Sequence, residues 1–97
     1  MAYEIIFAPE AIEDIRGLRA DDRSGIISAI ETHPRHGPRR ESKSRIKRLR
    51  GLRQPEYRLR VQDFRIYYDG AEPEVRILSV IPKRLTYDWL EKHGKSL

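Results

Sequence analysis

Residues Tyr57-Arg58-Leu59-Arg60-Val61 alternate apolar and cationic side chains without a break. Successive residues of a strand point to opposite faces of a sheet, so this segment predicts one face against a core and one that holds guanidinium groups side by side. The segment closes a strongly basic stretch. Arg39 to Arg60 contains ten Lys and Arg residues and two acids, Glu41 and Glu56, a local balance of +8 against +5 for the whole chain. The remaining 75 residues therefore carry −3. Positive charge concentrated in this way points to a polyanionic partner, and nucleic acid is the first to consider.

With 97 residues, 38% hydrophobic and 36% charged, the chain is expected to form a single domain, residues 1–97, around a modest core. The chain contains no cysteine, which excludes disulfides, thiolate metal sites and cysteine nucleophiles. No apolar run approaches the roughly 18 residues of a membrane span, and the first residues lack a signal-peptide layout. A cytoplasmic protein without membrane contact is expected. His33, His36 and His93 show no metal-ligand spacing, so neither metal nor cofactor is expected.

Tyr3 to Ala8 reads as a first strand. Pro9 suits the first turn of a helix, where its missing N–H is not needed. Ala11, Ile12, Ile15 and Leu18 give that helix an apolar stripe. Asp21 or Asp22 is the expected N-cap of a second helix, which buries Ile26, Ile27 and Ile30 and ends at His33-Pro34. Residues 35–45 form a loop, and Ile46 to Leu52 is short, basic and ambiguous. Three strands follow, at Tyr57 to Val61, Phe64 to Tyr68 and Glu74 to Ile81, joined by turns at Gln62-Asp63 and Asp69 to Pro73. Residues 84–93 read as a last helix, with Leu85, Trp89 and Leu90 toward the core and Gly94 as its stop. The order β-α-α-β-β-β-α implies an α+β fold, an antiparallel sheet packed on an N-terminal helical hairpin.

If the strands at 57–61 and 64–68 form a hairpin, Arg58, Arg60 and Arg65 converge on one open face, with Tyr67 beside them. Arg84 follows the last strand, and Tyr87 lies one helical turn beyond. A guanidinium suits phosphate because its planar fork donates two parallel hydrogen bonds and keeps its charge. Preorganised cations favour the charge that develops on oxygen during phosphoryl transfer. A tyrosine ring stacks on an unpaired base. Such a set fits the cleavage of single-stranded RNA without metal, the 2′-OH acting as nucleophile. The run Arg39, Arg40, Lys43, Arg45, Lys47, Arg48, Arg50 and Arg53 reads as a phosphate-tethering surface.

These residues also carry a family likeness. Lys47-Arg48-Leu49-Arg50-Gly51-Leu52, the segment Tyr57 to Tyr68, and Ile77 to Arg84 closed by Tyr87 resemble the RelE/ParE superfamily of toxins from type II toxin–antitoxin systems. The opening strand and first helix fit as well. The resemblance implies a RelE-like fold, a cognate antitoxin with a short acidic toxin-binding segment, and contact with operator DNA only through the antitoxin complex. It also implies a ribosome-dependent, metal-independent mRNA endoribonuclease that inhibits translation, whose catalytic residues are Arg58, Arg60, Arg65, Arg84 and Tyr87. The ribosome and mRNA are its partners, reached through Arg39 to Arg53. In that assignment Arg65 stabilises the phosphate, Arg84 serves the leaving group and Tyr87 orients or stacks the substrate. The chain departs from the family in two places. Arg58 and Arg60 stand where lysines are usual, and an arginine cannot act as a base. Gln62 stands where glycine is usual. A ParE-like toxin that inhibits DNA gyrase without cleaving anything is the alternative. A third reading is a binding module that acts with its antitoxin on operator DNA.

Overall fold

The computed structural model describes residues 2–97. The chain runs β1 (Glu4–Phe7), α1 (Pro9–Arg16), α2 (Ala20–Thr32), β2 (Ile46–Arg48), β3 (Leu52–Gln54), β4 (Tyr57–Val61), β5 (Phe64–Ala71), β6 (Glu74–Pro82), a 3₁₀ turn (Lys83–Leu85), α3 (Thr86–His93) and β7 (Lys95–Ser96). Five strands form one sheet in the order β1-β6-β5-β4-β2, and β3 pairs with β7 in a separate ribbon. The α+β class is as expected.

Three of the main sheet's pairings are antiparallel, and short turns join two of them, β4–β5 and β5–β6. The fourth corrects the expectation of a purely antiparallel sheet, because β1 lies parallel to β6, with Glu4 opposite Glu74 and Phe7 opposite Ile77. After β1 the chain leaves through α1 and α2 and returns by way of β2, so β1 meets the meander only at its last strand. There it places β6, the most apolar strand, inside the sheet. The ambiguous segment at 46–52 resolves into β2, a turn, and the start of β3. The second helix starts before the expected cap. Arg19 is the N-cap residue, and Asp21 and Asp22 lie in the first turn, where they complement the helix dipole.

One face of the sheet packs under the helices. Tyr57, Leu59, Ile66, Tyr68, Val75, Ile77 and Val80 form the core with Ala11, Ile26, Ile30 and Ile46. Burial of each large aliphatic side chain contributes about 1.5–3 kcal/mol. The first helix is tied down by a polar contact. β1 ends opposite Ile77, so the edge of β6 beyond it lacks a strand partner. Asp14 of α1 covers that edge: Val80 N donates to Asp14 Oδ2 at 2.9 Å and Ser79 Oγ at 3.2 Å.

The loop at 35–45 is anchored at its centre. Tyr68 Oη donates to Pro38 O at 2.6 Å. Arg39 forks onto Gly70 O with Nε at 3.0 Å and Nη2 at 2.9 Å. Pro38 sits so close to Gly70 that a Cβ there would come within 3.0 Å of the proline ring. The chain's C-terminal helix stops at Gly94 as expected, where a Cβ would collide with the Leu90 carbonyl. Leu85, expected in the core, lies in the 3₁₀ turn and is 42% exposed.

Candidate nucleic-acid interface

The second face of the sheet carries the cations. Across the strands, Lys47 pairs with Arg58, Arg58 with Tyr67, and Tyr67 with Ser79. One row nearer the hairpin turn, Arg60 pairs with Arg65 and Arg65 with Ile81. Paired residues share a face, so Arg58, Arg60 and Arg65 converge as the alternation predicts.

Arg65 is the most buried of the three, at 7% exposure. Its Nη1 donates to the carbonyls of Gln62 and Phe64, both at 2.9 Å, which pins the guanidinium against the hairpin turn. Gln62 supplies its carbonyl from a left-handed conformation with φ of 52°, the position where glycine is easiest to place. The Arg65 pKa is held below the ordinary guanidinium value, first by burial and then by Arg58 and Arg60. The charge persists, because an arginine is not deprotonated in a protein at accessible pH. Three like charges are thus held together with no carboxylate paired to them. The described residues form four ion pairs, Arg16–Glu13, Arg19–Asp21, Arg35–Glu31 and Arg76–Glu74, and none involves this cluster or the basic run.

The two acids of the basic run neutralise none of its side chains. Glu41 accepts from Arg48 N at 2.8 Å, and Glu56 accepts from Gly70 N at 2.9 Å. Three of the run's arginines are engaged internally. Arg39 holds Gly70, Arg45 Nη1 lies 2.7 Å from His33 Nε2, and Arg48 donates to Glu56 O at 2.6 Å while lying over the Tyr57 ring. Arg40, Lys43, Lys47, Arg50 and Arg53 make no side-chain hydrogen bond to another described residue, so the run is partly scaffold and partly free charge.

Arg84 and Tyr87 lie at the hairpin end of the same region. Phe64 pairs with Pro82, and Lys83 N donates to Asp63 O at 2.7 Å, so the 3₁₀ turn is latched to the β4–β5 turn. A cleft of about 680 Å³ opens there, lined by Asp63, Pro82, Lys83, Arg84 and Tyr87. Tyr87 is 88% exposed, so its ring is free to stack on a ligand. Trp89 is the aromatic side chain of α3 that packs inward, stacked on Tyr67 with centroids 4.9 Å apart.

The sequence places Tyr67 beside the arginines on an open face and does not single out Asp63 for this region. Asp63 brings a carboxylate to the cleft, and its position in a tight turn gave no sign of that. Tyr67 is fully buried beneath α3. Its pKa is raised by burial, against smaller opposing effects from the Thr86 hydroxyl, Arg58 and Arg65, so the phenol stays protonated. Tyr67 Oη, Arg58 Nε and Thr86 Oγ1 are buried without a partner in hydrogen-bond geometry among the described residues, although Thr86 is near enough to act on the Tyr67 phenol. No group of His, Asp and Glu among them has the arrangement of a metal site.

No family model matches the sequence, and comparison with curated proteins finds no match. Solved structures do match. A chain of the RelB–RelE antitoxin–toxin complex from Methanococcus jannaschii superposes with a TM-score of 0.68 at 23% identity, covering 87% of this chain and 96% of that one. A mutant of the Escherichia coli toxin RelE in the free state gives 0.69 at 20% identity, covering 96% and 99%. The toxin–antitoxin complex RelBE2 of Mycobacterium tuberculosis gives 0.67 at 20% identity, covering 84% and 99%. The chain has the RelE fold. Within this RelE-like frame the cationic face is the sheet surface turned away from the helical hairpin, and the Arg84–Tyr87 cleft lies at its hairpin end.

Proposed function

We propose that the chain is the toxin of a toxin–antitoxin pair and that it cleaves messenger RNA on the ribosome. The observation that carries this reading is the convergence of Arg58, Arg60 and Arg65, unpaired with any acid, beside a cleft that holds Arg84 and Tyr87. In the proposed reaction the substrate 2′-oxygen attacks the adjacent phosphorus and the bond from phosphorus to the 5′-oxygen breaks. The products are a 2′,3′-cyclic phosphate and a 5′-OH. Arg65 and Arg84 stabilise the charge on the phosphoryl oxygens, Arg58 and Arg60 hold the flanking backbone, and Tyr87 stacks a base. The 2′-OH proton needs an acceptor, and the cleft offers the Asp63 carboxylate, or Tyr87 if it reacts as the phenolate. The leaving 5′-oxygen takes its proton from solvent, while Arg84 stabilises its charge by donating a hydrogen bond to it. The RelB–RelE neighbours support an antitoxin partner, and an acidic segment of it would suit this unpaired cationic face. In this reading the protein acts in the cytoplasm.

One observation favours a second reading. None of the three sheet cations can accept a proton, so the face is built to bind anions whether or not it cleaves them. A ParE-like inhibitor of DNA gyrase would need no more. Pure protein added to programmed ribosomes in EDTA, at concentrations that leave the ribosomes intact, separates the two. Codon-positioned cuts ending in cyclic phosphate support the nuclease. Intact message together with inhibited gyrase supercoiling supports the alternative.

A further inference from the structure

Three arginines of the basic stretch, Arg40, Arg45 and Arg60, line one continuous path on the surface. A groove of about 710 Å³ lies between the outer side of α2 and the β4–β5 hairpin, and a second of about 320 Å³ continues from it under the loop at 35–45. The two share Thr32, His33 and Arg45 in their walls. Arg60 opens the path at the hairpin end, and Arg40 and His36 lie toward the other. No Asp or Glu lines either part, although the chain has 15 acids. Arg60 belongs at once to this groove and to the cationic sheet face, so the two surfaces are continuous around the hairpin tip.

We propose that this groove is a backbone track for single-stranded RNA, receiving the strand that runs on from the cationic face. The inference rests on the RNA-directed reading above and adds a path for the substrate. The wall chemistry selects the ligand. It offers guanidinium forks and the hydroxyls of Ser28 and Ser44, donors suited to phosphate oxygens. An acidic peptide that orders on binding must bury apolar side chains to offset its lost entropy. The larger groove offers it only Ala29 and Val61. A polynucleotide needs no such anchor, because released counterions drive its binding. Arg45 is held ready by His33, which accepts from its Nη1 through a neutral ring and so leaves the charge undiminished.

The test is fluorescence anisotropy with a short labelled RNA carrying 2′-O-methyl at every position, so that binding is read without cleavage. Arg40→Ser with Arg45→Ser removes two groove cations. Arg16→Ser with Arg19→Ser removes the same charge from the α1–α2 corner. Ser28→Glu puts an acid on the groove wall at an exposed helical position, where folding is not at risk, and circular dichroism checks each fold. The groove pair is expected to weaken binding by about tenfold or more and to flatten the log–log salt slope by about 1.4, at about 0.7 per lost contact on a single strand. Ser28→Glu should weaken binding too, and the corner pair should lose far less than the groove pair. Equal losses from both pairs, or a Ser28→Glu protein that binds like the wild type, overturn the track. So does a polyglutamate peptide that displaces the RNA and itself depends on Arg40 and Arg45, since the groove would then take acidic protein. The probe cannot be cut, so failure of the cleavage reading leaves this test standing. Groove variants that bind normally while the protein still cuts message remove the track alone.

Discussion

The two faces of strands β4 and β5 come from one alternating sequence and meet opposite requirements. On one face Tyr57, Leu59, Ile66 and Tyr68 are buried, and the single phenol hydroxyl they enclose most deeply, that of Tyr68, has a carbonyl partner in Pro38. On the other face Arg58, Arg65 and Tyr67 are also largely covered, yet Arg58 Nε and Tyr67 Oη lack hydrogen-bond partners and the three neighbouring arginines form no ion pair among the described residues. A stable fold satisfies its buried polar groups, and each one left unsatisfied costs about 1–3 kcal/mol. The first face obeys that rule and the second departs from it. Strain and unpaired charge that packing alone does not require are what a binding face retains.

The sharpest way to break this comparison is to remove the cations. Arg65→Ala and Arg84→Ala are each expected to cut single-turnover cleavage by about 10²–10³ and to abolish growth arrest at equal expression, since each removes a charge-stabilising donor. Arg84 is exposed and makes no side-chain hydrogen bond to a described residue, so its loss should leave the melting temperature unchanged. Full toxicity in both variants would return the second face to a purely structural role.

Two adjacent tyrosines sharpen the contrast further. Tyr68→Phe orphans the Pro38 carbonyl and is expected to destabilise the fold by about 1–3 kcal/mol in urea titrations. Tyr67→Phe deletes a hydroxyl that has no partner, and is expected to be neutral or stabilising by up to about 1 kcal/mol. Equal losses at both positions would mean that the Tyr67 hydroxyl is satisfied after all, and the two faces would no longer differ.

The smallest effect concerns His33. Its pKa is lowered from the ordinary value of 6.5, first by burial and then by Arg45. The folded state therefore resists protonation more than the unfolded state does, and stability falls as pH drops through 6.5 toward the folded value. Wild type should lose more stability between neutral and mildly acid pH than His33→Gln. Parallel pH profiles would show that His33 takes its proton freely beside Arg45.

The strand that carries the cationic face was legible because alternation is a local signal. Tyr57 to Val61 has the bounds expected of it, and Arg58, Arg60 and Arg65 fall where the pleat puts them. The helices and β6 were legible for the same reason. What escaped were arrangements made by partners distant in sequence. β2 has three residues, two of them cationic, and becomes a strand only because β4 lies beside it. The β3–β7 ribbon joins Leu52 to Ser96, and strands of three and two residues give no period to read. Arg39 looked like free charge until Gly70 appeared beneath it. Asp63 looked like a turn residue until the 3₁₀ turn closed over the hairpin.

The central claim is that the cationic face and its cleft position an RNA phosphate for attack by the neighbouring 2′-oxygen. It is tested most directly by single-turnover cleavage of a ribosome-bound message that carries one 2′-O-methyl group at the cut position, measured against the unmodified message. The account predicts that the unmodified message is cut, with a cyclic phosphate at the new end, and that the methylated one stays intact. Efficient cutting of the methylated message at the same position would contradict it.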